Sequence, residues 1–175
     1  MSNSKIAVFV SHNLQDHKVA KSLVKELKAH EINAYLAAKP ATEITEWQRE
    51  VAESIRAADT IVIIVDPEHP SDWYQQFEWS TALEASWEDK RKRFIPLLIE
   101  NAELPRFLSS EDKGLRVREI KKEWKHVVKK LIHIIQDETM TAGETLITEK
   151  EVYQQQRAQL KTIKKAVQTL KQCKP

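Results

Sequence analysis

Apolar residues in this chain follow two patterns that alternate along its length. Short continuous runs, rich in β-branched residues, occur at Ile6 to Val10, Ile32 to Leu36, Thr60 to Val65 and Arg93 to Ile99. Runs without polar alternation predict strands covered on both faces, as in a parallel sheet. Leu115 to Val117 is a short candidate for a fifth. Between the runs, apolar residues recur about every four positions, which predicts amphipathic helices. Val19, Leu23 and Leu27 mark the first, with Ala20 and Val24 beside them; Trp47, Val51 and Ile55 mark the second. The third runs from about Trp73 to Trp87, and Trp124, Val128, Leu131 and Ile135 define the fourth. Ser11, His12 and Asn13 close the first strand and are residues that favour turns and helix caps.

Strands alternating with helices imply right-handed crossovers and a parallel sheet covered on both sides. The expected fold is a flavodoxin-like three-layer α/β domain with five parallel strands. In that order a ligand crevice lies where the strand order reverses, between strands one and three. Ser11 to Asn13 are thereby placed beside the segment Asp66 to Glu78. The predicted domain covers residues 1–136, followed by a linker, 137–147, and a C-terminal helix, 148–175. In that helix Tyr153, Leu160 and Val167 repeat at heptad spacing, with Ile163 and Leu170 at the complementary positions. The seam is expected to pack either on its own domain or on another chain, through self-association or a second protein. Its lysines and Arg157 suit an acidic partner surface.

Composition narrows the function. The 28 basic and 26 acidic residues leave a net charge of +2, too little to favour nucleic acid. With only Gly114 and Gly143, the chain has neither a P-loop nor a glycine-rich dinucleotide fingerprint. The lone Cys173 forms no internal disulfide and no thiolate cluster, and the polar start shows no signal peptide. The apolar runs are too short to cross a membrane. A cytoplasmic protein without membrane contact is expected. Neither His17, His30, His69, His126 nor His133 shows ligand spacing to carboxylates along the chain, so no metal site is expected. Asp66, ending the third strand, suggests a phospho-accepting receiver domain. That activity also needs an acidic pair after the first strand to hold Mg²⁺, and Ser11-His12-Asn13 stands there.

Four boxes in this order resemble a bacterial-type TIR (Toll/interleukin receptor) domain, over roughly Lys5 to Gln136. They are Val8-Phe-Val-Ser-His12 with Asp16; Ala58 to Val65; Ser71-Asp-Trp73 with Glu78-Trp79 and Ala82-Leu83; and Phe94-Ile-Pro-Leu-Leu98 with Leu104-Pro105. The resemblance implies cleavage of NAD at the nicotinamide–ribose bond, with Glu78 as the catalytic carboxylate and NAD as substrate rather than cofactor. It also implies a place in bacterial stress or antiphage defence, and assembly of copies to complete a pocket. A non-catalytic module acting by homotypic assembly is the alternative. Family members place a tryptophan four residues before the glutamate, whereas Trp73 stands five before. The loop after the second strand lacks the family's acidic residue and glycine, reading Ala37-Ala38-Lys39-Pro40-Ala41-Thr42-Glu43.

Breaking the bond to cationic nicotinamide develops oxocarbenium charge, which one preorganised carboxylate stabilises without a metal. Glu84 and Glu88 share one helix face, and Glu78 falls off it beside Ala82 and Ala85, at about 100° per residue. Small neighbours there are expected to leave room for a ligand. His12 is a candidate for phosphate or ribose contact, or else structural. Trp47 and Trp73 are candidates to stack on adenine or nicotinamide, although Trp47 also fits the apolar stripe of its helix. Ser11 is expected to cap the first helix or turn, with a phosphate contact as the alternative.

Overall fold

Parallel strands cannot be joined by tight turns, so each predicted strand needs a crossover. The computed structural model describes residues 5–37, 43–108, 115–137 and 161 and has this arrangement. In chain order the elements are β1 (Ala7–Ser11), α1 (His17–Ala29), β2 (Asn33–Tyr35), α2 (Ile44–Ala57) and β3 (Thr60–Val65). They continue with α3 (Trp73–Glu88), β4 (Arg93–Ile99), β5 (Leu115–Val117) and α4 (Ile120–Gln136). One turn of 3-10 helix, Leu14–Asp16, separates β1 from α1. The sheet is parallel throughout, in the order β2-β1-β3-β4-β5, so it reverses between β1 and β3. This is the expected flavodoxin-like order. The predicted linker and C-terminal helix lie outside the described residues, apart from Asp137 and Lys161, which is helical and exposed.

Side chains of a strand point alternately to the two faces, and the core divides accordingly. Val8 and Val10 of β1, with Val62 and Ile64 of β3, pack under α1 and α4. Phe9, Ile61 and Ile63 pack on the other face, under α2 and α3. Ser11 shares the parity of Phe9, which directs it towards α2 and α3. Pro96 sits inside β4, where proline is disfavoured. It lies at the margin of the β4–β5 ladder, and among the described residues its strand partner is β3 alone.

At the amino end of the sheet, two consecutive cations cap helices of opposite layers. Lys92 is buried, and its Nζ donates to the carbonyls of Arg56 (2.7 Å) and Ala58 (2.6 Å) at the end of α2. Desolvation holds its ammonium pKa below the usual lysine value. Arg93 donates to the carbonyls of Ile134 (3.1 Å) and Ile135 (2.7 Å) at the end of α4. Both positive groups answer the orphan carbonyls and negative pole of a helix C-terminus.

Helix α1 ends in a left-handed residue, Glu31, with φ 62°. Its N–H reaches the carbonyl of Lys28, and the N–H of Ile32 reaches that of Leu27, each at 3.1 Å. This is a Schellman close, sealed by contact between buried Ile32 and Leu27. Glycine normally takes such a position, because a Cβ there is strained. Glu31→Gly is therefore expected to stabilise the fold by about 0.5–1 kcal/mol, after allowing for the greater freedom of the unfolded chain. Urea unfolding followed by far-UV circular dichroism should show a higher midpoint, and an unchanged or lower one contradicts the strain argument.

Candidate functional site at the tips of β1 and β3

Beyond the carboxyl ends of the central strands, a polar seam joins residues 11–16 to residues 69–78. Ser11 Oγ donates to Glu78 Oε2 at 2.6 Å, and Leu14 N donates to Asp72 Oδ2 at 2.8 Å. His69 Nδ1 lies 2.7 Å from Asp16 Oδ1, and Asn13 Nδ2 donates to the carbonyl of Pro70. Folding thus brings together the two segments that strand order places at the switch point. The seam also organises the local chain. Asn13, extended, accepts from Gln15 N at 2.8 Å and starts the 3-10 turn. The cap expected of Ser11 falls to Asn13 instead, because Ser11 remains the last residue of β1, with its hydroxyl turned to α3.

Asp72 does two things with one carboxylate. Its Oδ1 accepts from Gln75 N at 2.8 Å and caps α3, while Oδ2 holds the β1 loop. The stripe of α3 that faces the sheet contains Gln75, Glu78, Ala82 and Ala85, all buried. Gln75 Nε2 donates to the carbonyl of Ile64 at 2.8 Å. Glu78 has no exposed surface. Ala82 and Ala85 are buried beside it, and their small side chains let the helix lie close on the sheet. Glu78 is thus a buried carboxylate held towards the end of β1 by the Ser11 hydroxyl. Such a group is fixed in direction and acts more strongly on nearby charge than a solvated one.

The other predicted site residues divide between two places. The His12 ring is buried, and its Nε2 lies 3.0 Å from Nδ1 of His17, the first residue of α1. Trp47 is buried under an aromatic group at the α2–α3 contact, with ring centroids 6.1 Å from Trp73, 5.1 Å from Tyr74 and 5.4 Å from Phe77. Trp73 is 47% exposed and stacks on Phe77 at 6.0 Å. Tyr74, not singled out in the sequence, stands four residues before Glu78 and packs edge-on against both Trp47 and Trp73.

A cavity of about 400 Å³ opens between the β3 tip, α3 and the segment Glu103 to Phe107. None of Ser11, His12, Trp47, Trp73 or Glu78 lines it. Its walls include Asp66, His69, Gln76, Trp79, Arg106 and Phe107. At this wall folding creates a grouping that spacing along the chain does not reveal. Asp16, Asp66 and His69 gather their ligand atoms within 4.8 Å of one another. Burial raises the Asp16 carboxyl pKa, against the lowering effect of His69, and the hydrogen bond to Asp16 raises that of the His69 imidazole. The cap at Asp72 had a local signal, an Asp-x-x-Gln box ahead of an apolar run. The Asp16–His69 pair has none, since 53 residues separate its members.

An α/β sheet of this order with a polar switch point is shared by several families. Comparison decides between them: the TIR domain family matches residues 8–132, and the chain belongs to it. The fold is similar to the crystal structure of the TIR domain of the Toll-related receptor TRR-2 from Hydra magnipapillata. The TM-score is 0.51 at 17% identity, covering 76% of this chain and all of that one. No curated protein matches the chain. Among the described residues, no helix is long and apolar enough to cross a membrane.

The double role of Asp72 generates a prediction. Asp72→Ala removes a cap and frees Leu14 N, and should cost about 1–2 kcal/mol. Asp72→Asn, which keeps both acceptor geometries in part, should cost less. Chemical denaturation of the three proteins checks the order, and equal stability of Asp72→Ala and the parent contradicts it.

Proposed function

We propose that this TIR domain cleaves NAD at the nicotinamide–ribose bond, with Glu78 stabilising the positive charge that develops on the ribose. The observation that carries the reading is the Ser11–Glu78 hydrogen bond at the switch point. It holds a carboxylate in a fixed direction at the end of the central strands, where α/β folds of this order bind ligands. Nicotinamide departs neutral, so the reaction asks for one oriented negative charge and no metal. Ser11 acts as a positioning residue. Trp47 and Trp73 are the proposed surfaces for an aromatic ring of the substrate, and His12 a contact for phosphate or ribose. The setting we propose is the bacterial cytoplasm, in stress or antiphage defence.

Because Glu78 is covered, the reaction requires a rearrangement that uncovers it. We assign this to self-association, aided by the C-terminal segment. Activity per chain should then rise with protein concentration. Glu78→Gln keeps shape and hydrogen bonding but removes the charge, and should lower NAD cleavage about 10²-fold or more, the usual loss for one preorganised electrostatic group. Ser11→Ala should lower kcat with little change in KM. Nicotinamide release measured by chromatography, alongside light scattering, provides the test. Parent-like turnover by Glu78→Gln would falsify the assignment.

The complete burial of Glu78 and the half-exposed Trp73 favour a second reading, a non-catalytic module that assembles with other TIR domains. Concentration-dependent association with no nicotinamide released at any concentration would establish that reading.

A further inference from the structure

The grouping of Asp16, Asp66 and His69 lies apart from the Ser11–Glu78 pair and has no part in the proposed cleavage. Its members come from two segments, the turn after β3 and the 3-10 turn before α1. Asp66 directly follows β3, and Asp16 ends the 3-10 turn that leads into α1. His69 is fixed to Asp66 by an isolated antiparallel bridge, and Glu68 N bonds Asp66 Oδ1 at 2.9 Å to tighten the turn. His69 Nδ1 lies 2.7 Å from Asp16 Oδ1 and 3.2 Å from Asp66 Oδ2. Two carboxylates are therefore crowded around one imidazole nitrogen.

A second observation concerns Asp16 alone. The residue is 3% exposed, and its Oδ2 is buried with no hydrogen-bond partner among the described residues. A buried carboxylate oxygen with nothing to accept from is costly and calls for a positive partner. Access is also present, since Asp66 and His69 line the cavity of about 400 Å³.

We propose that Asp16, Asp66 and His69 bind one divalent transition-metal ion at the inner wall of this cavity. Two carboxylate oxygens and one imidazole nitrogen form a mixed donor set, which suits Zn²⁺ or Mn²⁺. Ca²⁺, which takes six to eight oxygens, is poorly served. Ligand atoms within 4.8 Å of one another need only small side-chain rotations to surround an ion at bonds of about 2.0–2.2 Å. On binding, the ion replaces the proton on His69 Nδ1, which passes to solvent, and it takes over the contact to both carboxylates. Three protein ligands leave further coordination positions directed at the cavity, where water completes the shell.

The test uses the full chain, freed of metal with a chelator and titrated with Zn²⁺ by calorimetry and with Mn²⁺ by the loss of its free-ion paramagnetic resonance signal. Saturable binding of one ion per chain is expected, together with a higher Tm. Asp16→Asn and His69→Ala should each weaken binding about 10-fold or more, since even outer-shell partners of bound metals are worth that much. Should Asp16→Asn fail to fold, His69→Ala decides, since the His69 side chain is 28% exposed and lines the cavity. Absence of saturable binding, unchanged affinity in His69→Ala, or tighter binding of Ca²⁺ than of Zn²⁺ and Mn²⁺ overturns the proposal. Neither readout involves NAD, so the outcome is separable from the fate of Glu78.

Discussion

A carboxylate taken out of water costs several kcal/mol unless its oxygens are answered by donors. For Glu78 one such donor is the hydroxyl of Ser11, at the last position of a central strand. The requirement acts in both directions. It fixes the rotation of α3 about its own axis, because only one face can carry the glutamate to the serine. It also fixes the height of the helix over the sheet, because Ala82 and Ala85 must close the gap for the two groups to meet. Once α3 is set in this way, Asp72 falls over the β1 loop and His69 falls beside Asp16. The polar seam follows from this setting of α3 over the sheet.

The sheet separates its tasks between its two ends. At the amino end, Lys92 and Arg93 close the ends of α2 and α4 with charge-assisted hydrogen bonds to carbonyls. These contacts hold the layers together and leave the cations little freedom. At the carboxyl end the polar groups are more varied in kind: a serine, three histidines, an asparagine and several carboxylates. Charge is used at one end to finish helices and at the other to create directed groups near a cavity. The membership of the chain in the TIR family is consistent with this polarity, since parallel α/β folds place ligands beyond the carboxyl ends of their strands.

Much of this architecture was legible because buried parallel strands leave continuous apolar runs. Thr60 to Val65 reads as a strand since both faces are covered. The second strand is shorter than its apolar run, Asn33–Tyr35 against Ile32 to Leu36, because as an edge it pairs with β1 alone. The 3-10 turn has no periodicity long enough to notice. For Glu78, angular spacing shows that it leaves the exposed face of Glu84 and Glu88, but not that its small neighbours are there for close packing. Lys92 and Arg93 sit in a basic stretch, Lys90 to Arg93, that looks like a solvated surface. Only the three-dimensional position of two helix ends makes them structural. The long-range pairs, Ser11 with Glu78 and Asp16 with His69, arise from topology rather than from any local pattern.

The place of β1 in the middle of the sheet has a consequence for the order in which the molecule can form. Within the domain the first strand in chain order is an interior one, and its neighbours β2 and β3 both follow intervening helices. Among the described residues no strand has a hairpin partner, so each sheet contact there requires closure of a crossover, and such non-local pairing is slow. While the chain is being made, β1 has an open edge until β3 is complete at Val65, and the Ser11 hydroxyl has no carboxylate until α3 has docked. The polar seam therefore forms late. Until then the nascent chain carries an exposed apolar strand of the kind that invites chaperone binding or misassociation.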